Sequence, residues 1–148
     1  MQSFIKSGGS RAHENEIPGR SRLKDACGGV LAVFFVLAGI NHFRMPATYL
    51  GMMPHWLPWP SRLSAIAGTC EIIGGVGILV PRLRRAAGWG LIALLVAVFP
   101  ANVNVALMGR MPGYGFSPLT LWLRLPVQAV LIAWVAWVAL AEGRRTRG

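Results

Sequence analysis

Acidic residues are scarce in this chain: Asp and Glu number 5 in 148 residues, and charged residues of both signs make up 14%. A water-soluble domain of this size carries about a quarter of its residues as charge, so so little charge argues against water as the solvent. Cysteine is scarcer still. Cys27 and Cys70 form no CxxC pair and lie in apolar runs, which supports neither a disulfide framework nor a zinc site. Cys27 follows Lys24, Asp25 and Ala26 and precedes the apolar run, the reverse of a lipid-anchor signal, and it reads as an ordinary buried thiol. Also missing are a pair of histidines at matched depth for haem, a carboxylate and His at i, i+3 for a di-iron site, and a Gly-rich phosphate loop. No metal or haem motif is therefore present.

What is abundant is apolar surface, at 54% hydrophobic residues and a mean hydropathy of +0.51. At 148 residues there is room for one domain, and it exposes more apolar surface than a soluble core could bury. The net charge of +10 could signal nucleic acid, but the basic residues stand in short clusters between long apolar runs. That distribution belongs to a membrane protein with a positive-inside bias, and nucleic acid is excluded as a partner.

Four runs approach the roughly 20 residues needed to cross a bilayer core: 26–43, 63–80, 86–107 and 119–140. Backbone groups in lipid must pair within their own segment, so each run is predicted as a helix. Residues 1–25 are polar and rich in Gly, Ser and charge, and are expected to form a disordered basic tail. Residues 142–148 form a second basic tail. The turn from Pro81 to Arg85 is too short for anything but an antiparallel connection. Basic residues cluster in the N-terminal tail, in Arg82, Arg84 and Arg85, and in Arg144, Arg145 and Arg147. The fold expected is an all-α, four-helix antiparallel membrane bundle with both termini cytoplasmic.

The first outer loop, Arg44 to Arg62, interleaves Pro46, Pro54, Pro58 and Pro60 with Tyr49, Trp56 and Trp59. It cannot be helical throughout. One reading is an interfacial aromatic belt, and the other is a lid over an outward-facing cavity. A short echo accompanies it: Asn41 leads into Arg44-Met45-Pro46, and Asn104 leads into Arg110-Met111-Pro112, as a duplicated helical hairpin would.

An ionisable side chain at mid-membrane costs about 2.5 to 3.5 kcal/mol on insertion scales, so each needs a partner or a purpose. Glu71 lies mid-way along the second span, on one helical face with Ser64, Gly68 and Gly75, and should point into the bundle. Arg124 and Gln128 share a face of the fourth span, with Pro126 between them freeing the Trp122 carbonyl. Asn41 and His42 end the first span, and Asn102 and Asn104 follow Pro100 in the third. All four spans thus bring polar groups to one end. Either these residues fasten the helices to one another, or they line a polar cavity for a quinone-like amphipathic ligand, with His42 and Arg124 as donors and Glu71 as proton acceptor. Glu71 and the Arg124/Gln128 face are expected to form one network.

Several stretches resemble the DoxX-like family of small bacterial membrane proteins: Ala38-Gly39 with His42-Phe43 and Pro46, Leu57-Pro58, Glu71-Ile72 with Gly74-Gly75, and Pro81 with Arg84-Arg85. Val98 to Asn102, Leu121-Trp122 and Arg124-Leu125-Pro126 with Gln128 complete the likeness, which spans Ala38 to Trp137. The resemblance implies a four-helix protein of the bacterial cytoplasmic membrane. It also implies a redox-associated subunit, since some members of that family react with quinones in oxidising complexes. The expected function is such a subunit, partnered by a redox enzyme or by further copies of itself. The alternatives are a non-catalytic scaffold docking a partner and, ranked last, a small-molecule permease.

Overall fold

A computed structural model describes residues 18–141 of the chain, which form five helices: α1 (Pro18–Arg44), α2 (Pro46–Met52), α3 (Pro60–Leu79), α4 (Arg84–Met108) and α5 (Pro118–Ala139). Four of the five begin on a proline. The first helical position tolerates proline because its N–H would be unpaired there in any case and its fixed φ suits the helix. Ser117 adds a cap to α5, its side chain accepting the Thr120 N–H at 3.3 Å. Gly109 closes α4 in the left-handed conformation at φ 64°.

Four helices, α1, α3, α4 and α5, are long and apolar enough to cross a bilayer, and they match the four predicted spans. The protein is a multi-pass helical membrane protein. Two boundaries differ from the sequence reading. Helix α1 starts at Pro18 rather than Ala26, so residues 18–25 are its first turns, and the remainder of the expected tails (1–17 and 142–148) lies outside the described residues. The early start is stabilised by Lys24, which is buried, donates to the Ala141 carbonyl at the end of α5 at 3.5 Å and lies over the Trp137 ring. Asp25 is bound by Arg84 at 3.2 Å. The second difference is α2, a 7-residue helix inside the proline-rich loop. Thr48 and Met52 occupy its buried face at i, i+4.

Helix α1 lies along α3, α3 along α4 and α4 along α5, in antiparallel order, and α2 closes one end. Without a hydrophobic drive inside lipid, helices associate through close van der Waals fit. Gly39 of α1 and Gly68 of α3 make that fit: a Cβ on Gly39 would fall 2.5 Å from the Gly68 carbonyl oxygen, and one on Gly68 would fall 2.8 Å from the Gly39 carbonyl oxygen. The core is in two parts. At the end that carries the α3–α4 turn, Leu31, Phe35, Ile78, Leu91, Val135 and Val138 pack together. At the end closed by α2, Met52, Val105, Met111 and Leu121 do so, with Tyr49 and Tyr114 against them. The outward faces carry Val33, Leu37, Ile73, Val96 and Leu123 exposed, as lipid contact requires.

Candidate functional site

Between the two core clusters lies a cavity of about 540 Å³. That is within the roughly 300–1,000 Å³ of small-molecule sites. Its walls are largely apolar, from Phe35, Ala38, Leu94, Leu95, Val98 and Leu131, and the ionisable groups among them are His42, Tyr49, Glu71 and Arg124. Five of the seven candidate polar residues line it: His42, Glu71, Asn102, Arg124 and Gln128. Asn41 and Asn104 do not, and both make structural bonds instead. Asn104 donates to the Met52 carbonyl at 3.0 Å, pinning the end of α2 to α4. Asn41 donates to the hydroxyls of Tyr49 at 3.3 Å and Tyr114 at 3.5 Å.

The polar lining falls into two groups on opposite helix pairs. The α1/α3 group is His42, Ser64 and Glu71. His42 Nδ1 lies 3.0 Å from Ser64 Oγ, and its Nε2 lies 3.6 Å from Glu71 Oε2. When Ser64 donates to Nδ1, the ring proton sits on Nε2, facing the carboxyl. Tyr49 of α2 stacks on the His42 ring, with centroids 3.6 Å apart and planes at 27°. Glu71 Oε2 is buried and has no hydrogen-bond partner. An acceptor in that state costs about 1–3 kcal/mol or more when nothing satisfies it, and the His42 ring at 3.6 Å is the polar group that approaches it.

The α4/α5 group is Asn102, Arg124 and Gln128. Asn102 Nδ2 donates to Gln128 Oε1 at 2.9 Å, Arg124 donates to Asn102 Oδ1 at 3.4 Å, and Gln128 Nε2 donates to the Leu95 carbonyl. The other Arg124 contact is to Met111 Sδ at 2.9 Å, a weak acceptor. Among the described residues the guanidinium has no carboxylate against it. The single network expected of Glu71 with Arg124 and Gln128 is therefore corrected to two. Glu71 pairs with His42 because Gly39 and Gly68 bring α1 against α3, and Arg124 is held on the other wall by Asn102 and Met111.

The loop residues divide as well. Tyr49 and Trp56 line the cavity, with Met52, Met53, Pro54 and Leu57 beside them, so α2 and the segment after it do cover the site. Trp59 does not line it. Trp59 is 70% exposed, as Trp56 is, and its backbone is left-handed at φ 48°. Burial pushes the Tyr49 phenol above its ordinary pKa, opposed by the Asn41 bond and reinforced by nearby Glu71 and Tyr114. Tyr49 stays neutral, and because its oxygen accepts from Asn41, its own O–H remains to be donated. Of the two cysteines, Cys27 is half-buried against the core and Cys70 is exposed on α3. Tyr114 and Ser64 are the site-shaping residues that sequence reasoning left without a role. The i, i+7 relation of Ser64 to Glu71 was their only signal.

The chain matches the family described as a domain of unknown function (DUF8561) over residues 31–139, and it belongs to that family. No curated protein matches it, and neither does any solved structure. The match overturns the resemblance to the DoxX-like family. The pieces that carried that resemblance are small-residue pairs, a basic turn and proline after an apolar run. Any small antiparallel membrane bundle needs these for close packing and orientation, so they do not separate one such family from another. With the resemblance falls the family argument for a redox subunit, a redox-enzyme partner and a bacterial membrane.

Proposed function

We propose that this protein binds a small amphipathic molecule in the interhelical cavity, holding its polar end between Glu71 on one wall and Arg124 on the other. The observation that carries this reading is an apolar cavity of about 540 Å³ whose lining holds both the acid Glu71 and Arg124, with no carboxylate against the guanidinium among the described residues. A ligand hydroxyl or amine would donate to the Glu71 carboxyl, while a carbonyl, hydroxyl or anionic oxygen would take the Arg124 N–H groups and the Tyr49 hydroxyl. A quinol has such a head, one hydroxyl able to donate to the carboxyl and the other to accept from the guanidinium. Asn102 and Gln128, satisfied by one another and by the Leu95 carbonyl, fasten α4 to α5 and position Arg124. The positive-inside distribution supports cytoplasmic termini, which in a bacterial inner membrane puts α2 and the cavity's polar end toward the periplasm.

The test is mass spectrometry of the organic extract of gently solubilised, purified protein, compared among wild type, Glu71→Ala and Arg124→Leu. One small molecule near one copy per chain in wild type, falling by about fivefold or more in either variant, is expected from the loss of a hydrogen bond to a charged group. An extract identical across the three proteins would refute the reading. It would leave His42, Glu71 and Arg124 as fasteners of a non-catalytic scaffold.

A further inference from the structure

The cavity lies between tightly packed ends and opens along its sides. At the turn end, Gly74 abuts Leu91, Gly77 abuts Ala87 and Gly28 abuts Val138. At the other end α2 is sealed onto the α4–α5 loop, with Gly51 against Pro112, Gly113 against Thr48, and the Tyr114 hydroxyl donating to Met45 Sδ at 3.1 Å. Three large side chains of the spanning helices both line the cavity and remain open to the surroundings, Phe34 of α1 at 49% exposure, Ile66 of α3 at 58% and Val127 of α5 at 61%, as does Trp56 in the segment between α2 and α3. A side chain that does both stands on a rim. Phe34, Ile66 and Val127 belong to helices long and apolar enough to cross the bilayer, so the rim they form faces hydrocarbon rather than water.

From this geometry, and resting on the ligand reading above, we infer that the ligand enters and leaves sideways, from within the membrane. It is a lipid-soluble molecule whose polar head occupies the cavity while a hydrocarbon tail passes out over the rim at Ile66 or Val127. No charged side chain lies on that rim, so the tail meets only apolar groups on its way to the acyl chains. Glu71 and Arg124 stand within the cavity, where a head that shed its water at the rim regains hydrogen bonds.

The experiment uses the full chain in lipid nanodiscs and two probes with the same ring, menadione without a tail and menaquinone-4 with one, both held in the reduced quinol form. Ligand-bound protein is counted by native mass spectrometry. The variants are Ile66→Trp, Val127→Trp and the two together, all on exposed positions where a larger side chain narrows the rim without entering the core. Wild type is expected to bind both probes. The double variant should lose menaquinone-4 by about tenfold, equivalent to about 1.4 kcal/mol, and keep menadione within about twofold. Each single variant should show a smaller loss of the same selectivity. Menadione binding alone in wild type, menaquinone-4 binding untouched by the rim variants, or equal loss of both probes would overturn the sideways route while leaving the ligand reading in place. Failure of wild type to bind either probe would remove the quinone-like ligand itself, and the route with it.

Discussion

Glu71 and Arg124 are the two charged side chains of opposite sign in the cavity lining, and they answer to different neighbours: His42 for the acid, Asn102 and Met111 for the guanidinium. Because they share no hydrogen-bond partner, Glu71→Gln and Arg124→Gln should lower stability additively, within about 0.5 kcal/mol, in thermal unfolding in detergent. The pair Glu71→Gln and His42→Ala should instead deviate from additivity by about 0.5–3 kcal/mol, since those side chains touch. Gln128→Leu should cost about 1–3 kcal/mol, because it strands the half-buried Asn102 amide and one acceptor site on the Leu95 carbonyl. At this scale the sequence was informative about which residues are polar and on which helical face they lie. It was silent about who pairs with whom. Asn41 and Asn104 share the depth of the others, yet their amides are taken by Tyr49, the Met52 carbonyl and Tyr114 of the α4–α5 loop, the first two supplied by an element that the sequence did not announce.

That element is α2, and it marks the limit of pattern reading. Pro46, Pro54, Pro58 and Pro60 in one loop argue against regular structure, but Pro46 is at the first position of α2 and Pro60 at the first position of α3, where proline is tolerated. The four long helices were legible because lipid forces every backbone group in a span to pair locally, so an apolar run of sufficient length has few alternatives. The α1–α3 contact follows from the same economy of space. Gly39→Val should put branched atoms into the Gly68 backbone and cost about 1–3 kcal/mol, with loss of the His42–Glu71 approach. Gly90→Ala on α4, where a Cβ would meet nothing within 4 Å, should be neutral or stabilising by about 0.4–1 kcal/mol. Denaturation in detergent of the two variants beside wild type checks the contrast. Equal effects would mean that close approach of α1 and α3 does not govern stability.

For the whole molecule the open question with most leverage is orientation, because it decides which compartment the α2 end faces. The turn end of the described chain presents Arg22, Arg82 and Arg85 exposed, with Lys24 and Arg84 engaged in contacts beside them. The α2 end presents Arg44, Arg62 and Arg110. The positive-inside rule weighs residues close to span ends, and by that rule the clusters at the turn end are expected on the cytoplasmic side. A cysteine introduced at Arg82 should therefore be labelled by a membrane-impermeant maleimide only after cells are opened, and one introduced at Gly115 should be labelled in intact cells. Both positions are exposed, and a Cβ at Gly115 meets nothing within 4 Å, so neither substitution disturbs the packed loop around Met111 and Tyr114. Cys27 and Cys70 must first be replaced by alanine, since Cys70 is exposed and would confound the signal. Labelling of Arg82→Cys in intact cells, with Gly115→Cys silent, would invert the molecule and bring Glu71 and Arg124 to the cytoplasmic half of the membrane. The cavity and its sideways rim would survive that inversion, because neither depends on which compartment α2 faces.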